Sequence, residues 1–188
     1  NKQVLIMPTW RMYIDKNKFE ESNYFQVYKE LLTSQHLEQI LKKYGYNAVF
    51  YPHFEVQSHI HLFRDLLLSP LIKIAGFESD VQTLLIDSAC LITDYSSVYF
   101  DMNYMKKPVL FYQFDSSIFH GKHYKKGYIV ESDLGVVCDN LDDLLDNLEF
   151  TLRSNCVQGD EFAQFSNCMF VHRDTNNCRR VFEAINNL

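Results

Sequence analysis

The polar stretch DYSS at positions 94–97 lies between two apolar runs near the middle of the chain. Residues 89–93 before it show no polar alternation, which is typical of a strand that is buried on both faces. Residues 98–105 after it have apolar side chains at helical spacing. DYSS is therefore predicted to form a strand-to-helix turn, where hydroxyls, free N–H groups and the helix dipole can hold a phosphate. Because Ser and Asp are also ordinary helix N-caps, simple capping stays open as the alternative.

Two other reactive or charged side chains follow predicted strands. Arg11 lies shortly after the apolar run 4–7, and its permanent positive charge can either face a ligand or pair with a carboxylate. His53 follows the apolar run 48–51, where a histidine can serve as an acid, a base or a hydrogen-bond donor. Further histidines lie close by, but they lack the helical i, i+4 spacing and have no cysteine near them. We therefore expect no metal site.

Residues 113–130 form a long segment that is rich in Phe, Tyr, His, Lys and Gly. The segment is too long and irregular for a minimal connection, and long loops of this kind are often functional. Its basic patch consists of His120, Lys122, His123, Lys125 and Lys126. Two interpretations remain open, a ligand-binding loop and a solvated loop that its aromatic side chains anchor.

The elements predicted around these turns alternate between strand and helix. Strands are predicted at residues 4–7, 48–51, 71–75, 89–93, 109–112 and 135–138. Helices are predicted at residues 24–34, 35–44, 60–68, 81–88, 98–105, 141–153, 161–168 and 176–187. The alternation predicts an α/β fold, a Rossmann-like parallel sheet with helices on both faces. Neither a GxGxxG sequence nor a Walker A sequence occurs, so both standard nucleotide signatures are missing.

Length and composition narrow the class of protein. The 188 residues suit one domain, and a formal net charge of -6 argues against a nucleic-acid partner. No apolar run reaches the length of a membrane span. The 5 cysteines form no CxxC pair, which argues against a disulfide framework or a zinc site and favours a reducing cytoplasm. Because the chain starts at Asn1 and enters a strand almost at once, we expect it to be a piece of a longer protein.

Several segments taken together carry a family resemblance. They are VLIMPTWR near the start, FYPH after a strand, LITDYSSVYFDMNYMKKPVLFYQFD in the middle, and HYKKGYI followed by GVV. The combination resembles the carboxy-terminal half of the CDP-glycerol glycerophosphotransferase family, the teichoic acid polymerases and primases. The resemblance covers nearly the whole chain. Its most specific part is TDYSS followed by a helix, a Lys-Pro pair and an aliphatic-aromatic strand.

The resemblance implies one half of a GT-B architecture, in which two Rossmann-type domains face each other across a cleft. Residues 1–188 would be the single CDP-alcohol-binding domain, and the amino-terminal acceptor domain would be absent from this chain. The implied reaction moves glycerol phosphate, or ribitol phosphate, from a CDP-alcohol to a teichoic-acid-like or capsular polymer. CMP would be released, and no cofactor is implied. The implied setting is cytoplasmic, with the full-length protein at the inner face of the cell membrane, where it meets a lipid-linked acceptor.

The same resemblance implies roles for individual residues. His53 matches the active-site histidine of the family's Pro-His-Pro segment, although Phe54 replaces the second proline here. Ser96 and Ser97 would hold the donor pyrophosphate. The other residues for which substrate binding is implied are Arg11, Thr93, Asp94, His123 and Asp174. The family's second active-site histidine belongs to a Trp-His-Gly segment of the missing domain, so we expect the isolated chain to bind donor but to transfer poorly or not at all.

Three other functions remain as alternatives. The chain could be the nucleotide-sugar-binding half of a GT-B glycosyltransferase, which a preference for UDP-sugars over CDP would indicate. It could be a flavodoxin-like or receiver-like binding module, although a receiver would need an acidic pair where Pro8, Thr9 and Trp10 stand. A purely structural domain ranks last, because the polar turn, His53 and the basic loop all follow predicted strands.

Overall fold

The computed structural model describes residues 2–120 and 131–187 of the chain. Their sheet is 6-stranded, and the strand order is β3-β2-β1-β4-β5-β6. All neighbouring strands run parallel. The strands are β1 Gln3–Ile6, β2 Asn47–Phe50, β3 Ile72–Ile74, β4 Cys90–Thr93, β5 Val109–Tyr112 and β6 Val136–Cys138. The predicted parallel α/β sheet is therefore confirmed, with strand ends that differ from the predicted ones by at most one residue.

Helices connect the strands and follow the last one. They are α1 Asn23–Thr33, α2 Gln35–Tyr44, α3 Ile60–Arg64, α4 Val81–Asp87, α5 Tyr99–Tyr104, α6 Ser116–Ile118, α7 Leu141–Arg153, α8 Asp160–Met169 and α9 Asn177–Asn186. Turns of 3-10 helix lie at Lys16–Glu21, Phe54–His59 and Glu131–Asp133. The helix predicted at 60–68 begins at Ile60 as expected but ends at Arg64. None of the helices in the described ranges is long and apolar enough to cross a bilayer.

The two faces of the sheet carry separate cores because successive strand residues point to opposite faces. On one face, Val4 and Ile6 of β1 pack with buried side chains of α1, α2 and α7. On the other face, Leu5 packs with Leu85 of α4 and Met102 of α5. Helices therefore cover both faces of the sheet, as the continuous apolar strands predicted. Because helices cover both faces of the sheet, polar functional side chains are expected at the ends of the strands.

Candidate active site

The polar turns predicted to be functional lie at one edge of the sheet, because the parallel strands β1, β2, β4 and β5 end there. The strand order reverses between β1 and β4, and ligands of such sheets bind in the crevice at that reversal. Two hydrogen bonds cross this position. The Thr9 N–H donates to Asp94 Oδ1 over 2.9 Å, and the Thr93 hydroxyl donates to the Met7 carbonyl over 2.7 Å. The loop after β1 and the DYSS turn after β4 are thus fixed to each other.

A cluster of five charged and phenolic side chains, which we call the Arg11 cluster, ties these loops to the loop after β5. The Arg11 Nε donates to Asp115 Oδ2 over 2.6 Å, and its Nη1 lies 2.8 Å from Asp94 Oδ2. The hydroxyls of Tyr13 and Tyr95 also donate to Asp115. Arg11 and Asp94 are 0% exposed and Asp115 is 4% exposed, so the three charged groups are withdrawn from water, whereas Tyr13 and Tyr95 are half-buried.

The electrostatics of the Arg11 cluster favour its charged form. Burial by itself lowers the pKa of Arg11, but the charge of Asp94 and the hydrogen bond that Arg11 donates to Asp115 outweigh it and raise that pKa. Burial pushes the pKa of Asp115 upward, whereas the hydrogen bonds and charge of Arg11 hold it below its usual value. Asp115 is therefore ionised at neutral pH. A buried charge is tolerable only when it is paired in this way.

This burial changes the interpretation of three residues that the sequence placed at the donor. Arg11, Thr93 and Asp94 are 0%, 1% and 0% exposed, and their polar groups already bind neighbouring loops. In this structure they offer no surface to a ligand. Their contact with the donor stays a prediction, and in this structure their polar groups hold the loops after β1, β4 and β5 together.

The serines of the DYSS turn have a different environment. Ser96 is half-buried and Ser97 is exposed. Helix α5 starts only at Tyr99, and its N-cap residue Val98 makes no side-chain capping bond. Among the described residues, neither serine hydroxyl has a hydrogen-bond partner. The N-capping alternative is therefore not what the turn shows, and both hydroxyls are available to a ligand. The turn itself is held by Asp94, whose Oδ1 accepts the Tyr95 N–H over 2.6 Å.

His53 lies at the end of β2, at the same edge of the sheet. It is half-buried, and its Nδ1 accepts the Glu55 N–H over 3.3 Å. In the neutral ring the proton therefore sits on Nε2, which makes Nε2 a hydrogen-bond donor. Burial lowers the pKa of His53, while the charges of Glu55 and Asp94 oppose that shift. The imidazole is thus mainly neutral at pH 7 and can donate to a phosphate oxygen.

One known protein family matches almost the whole chain, including the residues of this site. The model of the CDP-Glycerol:Poly(glycerophosphate) glycerophosphotransferase family matches residues 1–187. The chain belongs to this glycerophosphotransferase family. The resemblance drawn from VLIMPTWR, FYPH and TDYSS is therefore confirmed at the level of the family.

Individual relatives agree with this assignment. The minor teichoic acid biosynthesis protein GgaB of Bacillus subtilis (strain 168) is 33% identical over 198 residues, which cover 98% of this chain and 21% of GgaB. The structure of the wall teichoic acid polymerase TagF matches with a TM-score of 0.63 and 22% identity, covering 98% of this chain and 43% of the TagF chain. A TagF variant soaked with CDPG matches with a TM-score of 0.59 and 22% identity, covering 99% and 41%. The chain thus spans less than half the length of each of these three relatives.

Two residues assigned by the family resemblance lie away from this site or outside the described part. His123 lies in the segment 121–130, which the structure does not describe. Asp174 is exposed and pairs with Arg180 of α9 over 2.9 Å, a contact that holds its pKa at about 2. Its neighbour Arg173 instead donates to backbone carbonyls at the end of α5. In residues 2–120 and 131–187, no group of three or more His, Cys, Asp or Glu side chains could hold a metal ion.

Asp115, Tyr13 and Tyr95 were not predicted as site residues. A signal for Asp115 does exist, because it follows β5 as Asp94 follows β4, and both come soon after an apolar strand. Tyr95 lies inside the DYSS turn, but nothing in the sequence indicates that its hydroxyl contacts a carboxylate of another loop. The contact joins positions that are 20 residues apart in the sequence. Only the tertiary structure brings these two residues together.

Proposed function

We propose that this chain is the donor-binding domain of a CDP-glycerol glycerophosphotransferase, and that the acceptor domain lies in another part of a longer protein. The observation that carries the proposal is the family match over residues 1–187. The site agrees with it, because two unpartnered serine hydroxyls and a neutral histidine follow strands of one sheet edge. In the proposed reaction, glycerol phosphate passes from CDP-glycerol to a teichoic-acid-type polymer and CMP leaves.

Ser96 and Ser97 would hold the pyrophosphate of the donor. Charge grows on the CMP leaving group as the phosphoryl group departs, and donors fixed before the reaction stabilise that charge. Helix α5 has only 6 residues, so the hydroxyls and the free N–H groups of the turn contribute more than a helix dipole does. Each hydrogen bond to a charged group contributes about 1.5–3 kcal/mol. Three such bonds approach the roughly 8 kcal/mol that micromolar binding requires.

His53 would supply the third donor. Its Nε2 carries the proton in the neutral ring, so it can donate to a phosphate oxygen without first taking up a proton from water. In its protonated form it could also give that proton to the leaving phosphate, which is general acid catalysis. The lowered pKa favours the neutral donor at pH 7. We therefore assign His53 first to the stabilisation of negative charge.

The Arg11 cluster would hold the loops of this site in place. Asp94 links the DYSS turn to the loop after β1, and Asp115 links both to the loop after β5. A site that must stabilise a transition state requires donors that do not move when charge develops. The cluster would thus fix Ser96 and Ser97 relative to His53. It would do so without any contact to the donor itself.

The first experiment is calorimetric titration of the chain with CDP-glycerol, CDP, CDP-ribitol, UDP-glucose and ADP, with and without magnesium. We expect selective binding of the cytidine compounds that does not depend on the metal. The double variant Ser96→Ala/Ser97→Ala should bind CDP-glycerol roughly 10–100-fold more weakly, since a tenfold change corresponds to about 1.4 kcal/mol. Ser154→Ala is the matched control, because Ser154 follows α7 and its hydroxyl already donates to the Thr151 carbonyl.

Two results would contradict the proposal. Preferred binding of UDP-glucose would place the chain among the sugar-nucleotide enzymes. Equal loss of affinity in Ser154→Ala and in the double serine variant would show that the turn has no specific part in binding. Association with the inner membrane face and with a lipid-linked acceptor is proposed for the longer protein only. A vesicle-binding assay on that longer protein would test it.

A further inference from the structure

A pair of cysteine thiols lies at the edge of the sheet opposite the proposed donor site. Cys90 is the first residue of β4 and is 0% exposed. Cys156 follows α7, is half-buried, and packs against the core that contains Cys90. Because the DYSS turn follows the other end of β4, the length of that strand separates the two thiols from the donor site. Neither thiol has a part in the function proposed above.

The Cys156 sulfur has two polar partners from other parts of the fold. Its Sγ lies 3.6 Å from the hydroxyl oxygen of Tyr46, a residue 110 positions away in the sequence. The thiols of Cys90 and Cys156 are also hydrogen-bonded to each other. A phenol can donate as well as accept, so the Tyr46 hydroxyl can donate to the sulfur once Cys156 has lost its proton. The packing thus places two donors where a Cys156 thiolate would need them.

The backbone after α7 fixes the position of Cys156. Asn155 and Cys156 have φ angles of 54° and 55°, in the left-handed region that residues other than glycine seldom adopt. The Cys156 N–H donates to the Thr151 carbonyl over 2.9 Å, a bond of the kind that ends many helices. The next residue, Val157, is 71% exposed, so this segment runs along the surface. Cys156 therefore contacts Cys90 on its inner side while its outer side stays within reach of small solutes.

These surroundings activate Cys156 rather than Cys90. The hydrogen bond from Cys90 lowers the pKa of Cys156 to about 7, and the hydrogen bond from Tyr46 adds to this shift, whereas burial opposes it. The same contact with Cys156 raises the pKa of Cys90, and burial raises it further. Cys156 is therefore partly ionised at neutral pH, and the thiolate is the nucleophilic form of cysteine. An accessible thiolate beside a second cysteine is the usual arrangement of redox-sensing cysteines.

We propose that Cys156 is a site of oxidation by hydrogen peroxide and that Cys90 converts the oxidised sulfur into a disulfide. The Cys156 thiolate attacks one peroxide oxygen, the O–O bond breaks, and the other oxygen takes up a proton and leaves as water. Cys156 is then a sulfenic acid. The Cys90 sulfur attacks the Cys156 sulfur, so that an S–S bond forms, the S–O bond breaks and a second water leaves with the Cys90 proton. The two thiols together lose two electrons, and one hydrogen peroxide is reduced.

The disulfide would join the segment after α7 to the strand that leads to the DYSS turn. In a reducing compartment such a bond forms only transiently, and intracellular disulfides of this kind usually sense or transmit an oxidising signal. The proposal does not rest on the proposed function, because its chemistry requires only the two thiols, the Tyr46 hydroxyl and a peroxide.

The test treats the folded chain with increasing amounts of hydrogen peroxide, blocks the remaining thiols with N-ethylmaleimide and maps the peptides by mass spectrometry. We expect a linked pair of peptides that contain Cys90 and Cys156, lighter by two hydrogen atoms than the separate peptides and separated again by dithiothreitol. Cys156→Ser should abolish the link. In Cys90→Ala the second thiol is missing, so dimedone, which labels sulfenic acids, should label Cys156 more strongly than in the unmodified chain. The double variant Cys168→Ser/Cys178→Ser is the control, because both side chains are exposed and the link should form as before.

Two results would overturn the proposal. One is the absence of a link between Cys90 and Cys156 at peroxide doses that already oxidise the exposed Cys168 or Cys178. The other is dimedone labelling of those exposed cysteines in Cys90→Ala while Cys156 stays unlabelled. Circular dichroism of each variant shows whether it is folded. If the buried Cys90→Ala variant fails to fold, Cys156→Ser and the unmodified chain still decide, since the link must form in the unmodified chain and disappear in Cys156→Ser.

Discussion

Replacing the central cation of the Arg11 cluster provides the most direct test of the structural reasoning. Arg11→Met keeps most of the side-chain volume but removes the charge that balances Asp94 and Asp115, both of which are buried. Breaking a buried ion pair from one side costs about 3–5 kcal/mol, because the remaining charge is left without a partner. The total stability of a domain is about 5–15 kcal/mol. The substitution should therefore remove a large part of the free energy of unfolding.

Urea denaturation offers a convenient assay, since Trp10 is the only tryptophan and lies next to Arg11 in the sequence. Its ring stacks on Phe19 with the centroids 6.4 Å apart, so its fluorescence should respond when this region opens. Circular dichroism gives an independent signal for the whole fold. A domain of this size loses about 2–4 °C of Tm per kcal/mol. The expected fall for Arg11→Met is therefore roughly 6–20 °C.

A control and a compensating variant make this prediction refutable. Arg179 forms an exposed pair with Glu183 over 3.6 Å, so Arg179→Met should change stability little. Adding Asp94→Asn and Asp115→Asn to Arg11→Met removes the unbalanced charges, and we expect it to restore part of the lost stability. A loss below about 1 kcal/mol in Arg11→Met would refute the reasoning from buried charge. So would a triple variant that is less stable than the single one.

Three further predictions concern other parts of the fold. Despite burial, the pKa of Asp115 is lowered by Arg11, so this pairing stabilises the chain above the ordinary Asp pKa of about 4, and the stability is lost as pH falls through the folded value. The difference in free energy of unfolding between the unmodified chain and Arg11→Met/Asp115→Asn, measured by urea denaturation at a series of pH values, should therefore narrow as the pH falls. Gly135→Ala should destabilise the chain by about 1–3 kcal/mol in a urea titration, because the added Cβ would lie 2.3 Å from the Val109 carbonyl oxygen. Arg173→Ala should lower the free energy of unfolding by about 1.5–3 kcal/mol and should speed up amide exchange at the end of α5, because Arg173 donates hydrogen bonds there. Asp174→Ala should have little effect, because the ion pair of Asp174 is exposed.

The fold could be predicted from sequence because its signal is local. Each buried parallel strand is a short, uninterrupted apolar run, and each helix has apolar residues at helical spacing. Turns of 3-10 helix were missed at Lys16–Glu21 and Phe54–His59, since such short pieces carry little periodicity. Because each turn comes directly after its strand, predicting the strand also predicted the position of the turn. The sequence could thus indicate which residues reach the carboxyl edge of the sheet.

Whether those residues are buried or exposed at the carboxyl edge depends on contacts between distant positions of the chain. Arg11 and Asp115 are separated by 104 residues, and nothing local tells whether the guanidinium faces a ligand or a carboxylate. Ser97 and Asp94 lie three positions apart, yet one is exposed and the other fully buried. Residue types and their order therefore determined the α/β fold, the family and the edge that carries the polar groups. Only the packing of the loops after β1, β4 and β5 decided which of these groups are buried supports and which are free to bind, because desolvation and charge pairing depend on the complete set of neighbours.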